Sequence, residues 1–462
     1  MDNNICLLTD SYKLCHWNMY PEGTENVYSY FESRKGATFN KTVFFGLQYI
    51  LQKYLAGQVV TKEKIDAAEE LVNAHMGPGK FNRAGWELIL DKWDGRLPLE
   101  INAVPEGTPV PTGNVMMTVV NLEPQCPWLT NYVETILTQV WYPSTVATLS
   151  REIKLMLENY AVKTCEGIDH VAFQLHDFGY RGATSVESAG LGGAGHLINF
   201  NGTDTIRAIE LINKYYHSQA QAYSVPATEH SIMTSLGRNG EKQVMAKLLK
   251  DYPTGILSVV IDSYNYREFI KMCAEEFSKE ILNRDGKVVF RPDSGDPTSV
   301  SLEVVEMLGA VFGYIKNELG YRVLHPKVGA LWGDGIDYQG IRNILFNLKN
   351  TGWASSNMVF GMGGGMLQKV NRDTQRFAFK CSAQCRNGVW YDIFKDPLDS
   401  SKRSKTGSLA LIYWNGEYST VTLDEHSRHM DCLKTVFLKG NLLHQTDFES
   451  VKQRALTRLN IE

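Results

Sequence analysis

Val288-Val289-Phe290-Arg291-Pro292-Asp293-Ser294-Gly295 is a short apolar run that breaks into a charged, glycine-ended loop. Three apolar residues in succession suit a strand buried on both faces. The Pro-Asp-Ser-Gly sequence then stops it. Working outward, the same design recurs. Val171 to Leu175 leads into His176-Asp177-Phe178-Gly179, and Leu197 to Phe200 leads into Gly202-Thr203-Asp204. Tyr223-Ser224-Val225-Pro226-Ala227-Thr228 leads into Glu229-His230-Ser231, and Ile256 to Ile261 into Asp262-Ser263. Val328 to Trp332 leads into Gly333-Asp334-Gly335, and Met358 to Phe360 into Gly361-Met362-Gly363-Gly364-Gly365. Amphipathic stretches such as Leu302 to Asn317 and Tyr338 to Lys349 separate several of them. Strand, loop and helix repeated at this spacing predict an irregular (β/α) barrel whose loops after the strands build one face. A doubly wound open sheet would also gather loops at strand ends; the barrel is the preferred reading.

The flanking sequence reads differently. Val27 to Glu32 alternates like a strand, Phe44 to Leu55 reads as an apolar helix, and Thr61 to His75 as a helix capped by Thr61. Leu99 to Val104 and Val115 to Val120 read as strands, and Leu129 to Val140 and Thr148 to Tyr160 as helices. From about Phe377 strand texture returns at Phe379 to Ser382, Val389 to Phe394 and Ser408 to Trp414, and a helix from Asp447 closes the chain. The expected organisation is a discontinuous α/β sandwich domain, residues 1–150 plus 376–462, around a barrel domain at 151–375 that carries most of the site.

Composition bounds the function. The 462 residues exceed what one core usually holds. A net charge of -4 gives no field for non-specific nucleic-acid binding, so an anionic substrate needs local cations. No signal peptide or apolar stretch of membrane-spanning length is read. The eight cysteines are scattered, and Cys381 and Cys385 lack a second ligand pair, so free thiols in a cytoplasmic protein are expected rather than zinc.

The barrel face would hold carboxylates (Asp177, Asp204, Asp262, Asp293, Asp334), arginines (Arg181, Arg291, Arg372) and His230. A histidine near acids can move a proton or hold a phosphoryl group. The plainer reading is a helix start capped by Thr228 or Ser231. Four glycines among residues 361–365 exceed what a turn needs, and their amides could cradle phosphate. Arg291 and Asp293 suit phosphate or carbonyl and sugar hydroxyls, or else form a structural ion pair. Gly190 to Gly195 fits G-x-G-x-x-G, but no strand precedes it, so close helix packing is read there instead of a dinucleotide oxidoreductase. Together these groups suggest transfer on a phosphorylated sugar.

At these residues, and at Thr9 to Lys13, Tyr28 to Glu32, Gly46 to Ile50, Trp141-Tyr142-Pro143 and Phe394 to Pro397, the sequence resembles the nicotinamide phosphoribosyltransferases, a type II phosphoribosyltransferase family. The resemblance runs nearly the whole chain in order. It implies transfer from 5-phosphoribosyl 1-diphosphate to nicotinamide, giving nicotinamide mononucleotide and diphosphate in NAD salvage. It also implies Mg2+, ATP hydrolysis through a phosphohistidine, and a homodimer with shared sites.

Carried over by resemblance, His230 is the phosphorylated residue and Asp262 orients it. Phe178 of one subunit and Tyr12 of the other sandwich the pyridine ring. Asp204 accepts from the carboxamide, and Arg291 sits near the same ring. Asp293 holds ribose hydroxyls, and Gly333, Asp334, Gly363, Gly364 and Arg372 hold the ribose and 5'-phosphate. Arg34, Arg181, Lys380 and Lys402 hold other phosphate groups, together with His230 and Arg291. The metal ligands are unassigned. A carboxylate at 204 accepts from an amide NH2 and repels nicotinate, which disfavours the nicotinate-using alternative. Two departures stand out: Met362 replaces a small hydroxyl residue in the glycine loop, and Thr228 replaces alanine.

Overall fold

The structure is a computed structural model that describes residues 3–395 and 404–456. Lys402 and the Asp396-Pro397 pair lie outside the described residues. The chain divides into two compact units. The first comprises Met1–Thr148, Leu211–Ser218 and Asn371–Glu462; the second comprises Leu149–Glu210 and Gln219–Val370.

The first unit is built on a seven-stranded sheet interleaving strands from both chain ends. Its order is Val389–Asp392, Phe377–Arg386, Thr24–Ser33, Val115–Asn121, Leu99–Ala103, Lys434–Leu438, Asn441–Leu442. Neighbouring strands in it pair antiparallel. Leu99–Ala103 alternates buried and half-buried residues, as a strand with one core face should. Thr24–Ser33 is buried through seven successive residues because it lies mid-sheet with both faces covered. Trp86, on the helix Arg83–Trp93, packs edge-on against Trp128 and Tyr132 at 5.0 and 5.2 Å.

Thr61 caps the helix Lys62–Met76 as expected, accepting from the Lys64 amide. The helix read over 44–55 is smaller: Leu47–Ile50 is α, and Leu51–Leu55 continues as a π turn. The helix read over 129–140 is two pieces, Leu129–Tyr132 and Glu134–Thr138. Leu211–Ser218, read as barrel, belongs to the first unit. There Tyr216 stacks on Phe45 and donates to the buried carboxylate of Glu106 at 2.7 Å.

The second unit contains six parallel strands: β1 Leu175–Asp177, β2 Gly202–Thr203, β3 Thr254–Val260, β4 Asp285–Arg291, β5 Val328–Trp332 and β6 Met358–Met362. Their order in the sheet is β2-β1-β6-β5-β4-β3. Both edges are then joined by the extended segment 223–228. Tyr223 bridges to Gly202, and Ala227 bridges to Ser258, both parallel. The Ser258 amide donates to Pro226 O at 2.9 Å and the Thr203 amide to Tyr223 O at 3.0 Å. Closure satisfies edge groups that an open sheet would leave unpaired. The barrel expected from the repeat is therefore present, and it is irregular because one member is a proline-containing segment outside regular strand geometry.

Two details of the strand reading are corrected. Val171 to Phe173 belongs to a 3-10 helix, Asp169–Phe173, and only Leu175–Asp177 extends as strand. Leu197 ends the helix Val186–Leu197 instead of opening a strand. That helix contains Gly190 to Gly195, all buried. A Cβ at Gly193 would stand 2.7 Å from the Ala208 methyl, so these glycines serve close packing.

Candidate active site

The loops that leave the C-terminal ends of the barrel strands bring the second unit's candidate residues to one face. Phe178 follows β1, and its amide donates to Met362 O at 3.0 Å, tying the loop after β1 to the end of β6. Its ring lies over glycines. A Cβ at Gly361 would come within 2.0 Å of the ring and one at Gly333 within 3.3 Å. Gly361 is thus required by the aromatic platform. Met362 is buried under the glycine loop, with its side chain against Gly365. It fills core space below the loop and leaves Gly364 open, where an added Cβ would meet nothing within 4 Å.

A cavity of about 370 Å³ is lined by Phe178, Tyr180, Arg181, Asp204 and Arg291. A second, of about 420 Å³, shares Phe178, Asp204 and Arg291 and is also lined by Tyr223, Ser224, Lys287 and Val289 of the barrel. Two larger hollows in the first unit, about 980 and 540 Å³, contain none of the candidate residues. The convergence of polar groups, and not volume, therefore marks the site.

Asp204 and Arg291 are both preset. Ser224 Oγ donates to Asp204 Oδ1 at 2.5 Å, which fixes the carboxylate and leaves Oδ2 available. Arg291 Nη2 donates to Thr228 O at 3.0 Å, while its buried Nε has no hydrogen-bond partner among the described residues. A buried orphan donor is costly unless something accepts from it. Arg291 makes no ion pair with Asp293 among the described residues, so the structural-pair reading falls. Asp293 instead lies beside Gly333, its Oδ1 3.6 Å from where a Cβ there would sit.

His230 begins the short helix His230–Met233. Neither Thr228 nor Ser231 caps it. Thr228 Oγ1 accepts from the Val260 amide at 2.9 Å and helps lock the closing segment to β3, while the Ser231 hydroxyl donates to Glu229. This gives the Thr228 departure a structural role. His230 Nε2 is 3.1 Å from Asp262 Oδ1, and the Ser294 hydroxyl donates to the other carboxylate oxygen. The imidazole is 47% exposed while the Asp262 side chain is 4% exposed. A buried, hydrogen-bonded carboxylate behind an accessible histidine fixes the ring through Nε2 and leaves Nδ1 with no hydrogen-bond partner among the described residues.

Asp177, grouped by sequence with the site carboxylates, is fully buried. Burial pushes its carboxyl up to about 6, against hydrogen bonds that include Gly179 N at 2.7 Å. It organises the loop from beneath. Arg181 is exposed on the 3-10 turn Tyr180–Gly182, and Gly182 approaches Gly364, bringing that turn beside the glycine loop. Asp334 is exposed after β5, its carbonyl accepting from the Trp332 indole at 2.7 Å. Gly363 precedes the turn Gly364–Leu367.

Tyr12, Arg34, Arg372 and Lys380 belong to the first unit. Tyr12 is 59% exposed, and Arg372 is also exposed. Lys380 pairs in register with Tyr30, and its ammonium is pushed down by burial first, then by the like charges of Arg34 and Lys395. A position where neighbouring cations depress the Lys380 ammonium suits an anion. The sequence reading gave no role to Ser224, Ser294 or Lys395. Serine near a carboxylate carries no spacing signal, and these contacts exist only through the fold.

A nicotinamide phosphoribosyltransferase of Xanthomonas campestris pv. campestris (strain 8004) is 44% identical to this chain over 464 residues, covering 98% of each. This chain belongs to the nicotinamide phosphoribosyltransferase family. A second member, from Acinetobacter baylyi (strain ATCC 33305 / BD413 / ADP1), is 35% identical and covers 97% of this chain and 96% of its own. The model of the nicotinamide phosphoribosyltransferase N-terminal domain matches residues 4–101, and that of the nicotinate phosphoribosyltransferase family matches residues 173–441. Among solved structures, nicotinate-nucleotide pyrophosphorylase from Pyrococcus furiosus matches with TM-score 0.62 at 14% identity, covering 99% of this chain and 96% of that one. Human nicotinic acid phosphoribosyltransferase matches with TM-score 0.58 at 14% identity, covering 97% and 93%. At that identity these two show the fold alone.

Proposed function

We propose that the protein transfers the phosphoribosyl group of 5-phosphoribosyl 1-diphosphate to nicotinamide, forming nicotinamide mononucleotide and diphosphate in NAD salvage. The observation that carries this reading is the preset Asp204 carboxylate, held by Ser224 beside the Phe178 ring and Arg291. A carboxamide can donate its NH2 to Asp204 while its carbonyl accepts from Arg291. Nicotinate would bring a second negative charge against Asp204, which the same pocket penalises. The pyridine nitrogen carries no proton, so attack on the anomeric carbon needs no general base. Positive charge grows on the ribose as the C1–O bond to diphosphate breaks. Asp293 would hold the ribose hydroxyls, and Gly333, Asp334, Gly363, Gly364 and Arg372 the ribose and 5'-phosphate. Arg34, Arg181, Lys380 and Lys402 would receive the departing charge.

Tyr12 would come from the partner subunit of a homodimer with shared sites. Among the described residues, no group of three His, Cys, Asp or Glu side chains could enclose a metal ion. Mg2+, whose protein ligands are unassigned, would be held through substrate phosphates and water. It would supply charge neutralisation on diphosphate. His230 would attack the terminal phosphorus of ATP through Nδ1, with Asp262 holding Nε2–H and ADP leaving. The accessible ring backed by a buried acid supports this.

The test offers purified protein 5-phosphoribosyl 1-diphosphate and Mg2+ with nicotinamide or nicotinate, with and without ATP, alongside His230→Ala. Nicotinamide mononucleotide should form preferentially, and ATP should help the wild type only. Equal or better use of nicotinate would refute the role of Asp204. An ATP effect surviving in His230→Ala would refute the phosphohistidine.

A further inference from the structure

Asp262 and Asp293 stand at matched positions on neighbouring strands. β3 and β4 pair in parallel from Thr254 with Asp285 to Val260 with Arg291, so each aspartate lies two residues beyond the last pair. The Ile261 amide donates to Arg291 O at 3.1 Å, which carries the alignment one step past the pairing. Ser294 follows Asp293 and reaches Asp262 from the adjacent strand. Gly295, at φ +98°, then turns the chain toward the helix Pro297–Phe312, whose N-cap Asp296 accepts from the Ser299 amide. The loop that carries Ser294 is thus anchored at both ends, by β4 and by a capped helix.

Fixing the backbone of Asp262 does not fix its carboxylate. Rotation about the Cβ–Cγ bond of an aspartate is broad and roughly two-fold, so hydrogen bonds decide where its oxygens point. Oδ1 faces His230 Nε2 at 3.1 Å, and Oδ2 accepts from the Ser294 hydroxyl. Among the described residues no other donor reaches this carboxylate, and no Lys or Arg pairs with it. The Asp262 side chain is 4% exposed, so water is poorly placed to replace a lost donor. The His230 ring, in turn, has no hydrogen bond among the described residues except the one to Asp262. Orientation therefore passes along a single line, from Ser294 to Asp262 to His230.

We infer that Ser294 is a positioning residue for His230 and acts through Asp262. Its hydroxyl holds Oδ2, which aims Oδ1 at the ring, and Oδ1 keeps the ring proton on Nε2. The lone pair is then on Nδ1. In the phosphoryl step of the proposed function, Nδ1 attacks the terminal phosphorus of ATP. A P–N bond forms, and the P–O bond to ADP breaks with its electron pair leaving on ADP. The ring gains positive charge while Nε2 keeps its proton, and the aimed carboxylate stabilises that charge. Without the Ser294 hydroxyl, Asp262 is free to turn and the ring to exchange tautomers. The rate effect rests on the phosphohistidine reading, whereas the tautomer effect does not.

The test compares the full-length wild type with Ser294→Ala and with the isosteric pair Ser294→Thr and Ser294→Val. Threonine keeps the hydroxyl and valine removes it. Ser294 is exposed, so these variants are expected to fold, and if Ser294→Ala does not, the Thr and Val pair still reads the hydroxyl. Phosphorylation of His230 is followed with ATP labelled on its terminal phosphate. The His230 tautomer is read by nitrogen NMR on histidine-labelled protein, with His230→Ala giving the assignment. Losing a hydrogen bond to a charged group predicts a phosphorylation rate about ten- to a hundredfold lower in the Ala and Val variants. Ser294→Thr should keep most of the rate. The ring should hold the Nε2–H tautomer in wild type and in Ser294→Thr, and a mixture in the other two. In an Asp262→Asn background, Ser294→Ala should have no further effect on the rate, because the two residues act as one unit. Equal phosphorylation rates in the Thr and Val variants, or a tautomer unchanged by loss of the hydroxyl, overturn the inference. A wild type that takes up no phosphate, yet holds one tautomer that Ser294→Val loses, would refute the phosphohistidine and still support the positioning role.

Discussion

Replacing Gly361 by alanine tests whether the Phe178 platform holds the acceptor base. Gly361 lies in β6 and is not among the positive-φ glycines, so the backbone tolerates alanine and the effect is steric. The new Cβ would stand 2.0, 2.2 and 2.7 Å from three ring carbons of Phe178. Carbon atoms rest at about 3.5–4 Å, so the ring must retreat by roughly 1.5 Å or rotate off the glycine surface. A displacement of about 1 Å in a positioning group costs on the order of 100-fold in rate. Overpacking adds about 1–3 kcal/mol of lost stability. The expected result is a folded protein whose kcat/KM for nicotinamide falls by about two orders of magnitude. Phosphorylation of His230 by ATP should survive, because His230 is carried by the closing segment and not by β6. The control is Gly364→Ala, where the added methyl meets nothing within 4 Å. It should fold normally and raise the KM for 5-phosphoribosyl 1-diphosphate if the loop cradles the 5'-phosphate. A folded Gly361→Ala that keeps its nicotinamide kcat/KM within about twofold would refute the platform.

Asp204→Ala should narrow the preference for nicotinamide over nicotinate by about tenfold or more, since it removes a charge-assisted acceptor and a like-charge repulsion; an unchanged ratio in a two-base assay would sink that role. Asp177→Asn should alter the pH dependence of stability. The folded carboxyl is raised to about 6 from an ordinary 3.8, so the native state binds more protons between those values and stability falls as pH rises through them. Asparagine removes this decline. Relative to wild type, the variant should gain up to about 3 kcal/mol between about pH 4 and 7 in denaturant melts, and parallel pH curves would contradict this. Lys287→Met should stabilise the barrel by on the order of 1 kcal/mol, because the Lys287 ammonium lines the interior cavity, is pushed down by burial, and has no ion-pair partner among the described residues. The charged form bears the penalty, so the gain should be largest below the depressed folded pKa and shrink as pH rises through it; a lower melting temperature at neutral pH would refute the assignment.

Although closure through residues 223–228 needed the fold, the repeated pattern of apolar runs broken by Gly, Asp, Arg and His was enough to favour a parallel barrel over an open sheet and to name the strand ends that carry its chemistry. The reason is local: strand burial and loop-breaking are written in adjacent residues. Residues 24–33 and 377–386 each read as strand, but their pairing as neighbours required the fold, because register between distant segments leaves no mark in either one. Composition likewise placed Asp177 with Asp204 and Asp262. Only burial separates them, one a buried loop anchor, one a preset acceptor, one the support of an exposed histidine. The same holds for Gly361, whose need for a bare backbone comes from an aromatic ring delivered by a strand nearly two hundred residues earlier. Sequence determined which groups are present and which face they reach. The three-dimensional arrangement decided their charge, their orientation and which of them are free to meet a ligand, because desolvation and hydrogen bonding act through neighbours in space.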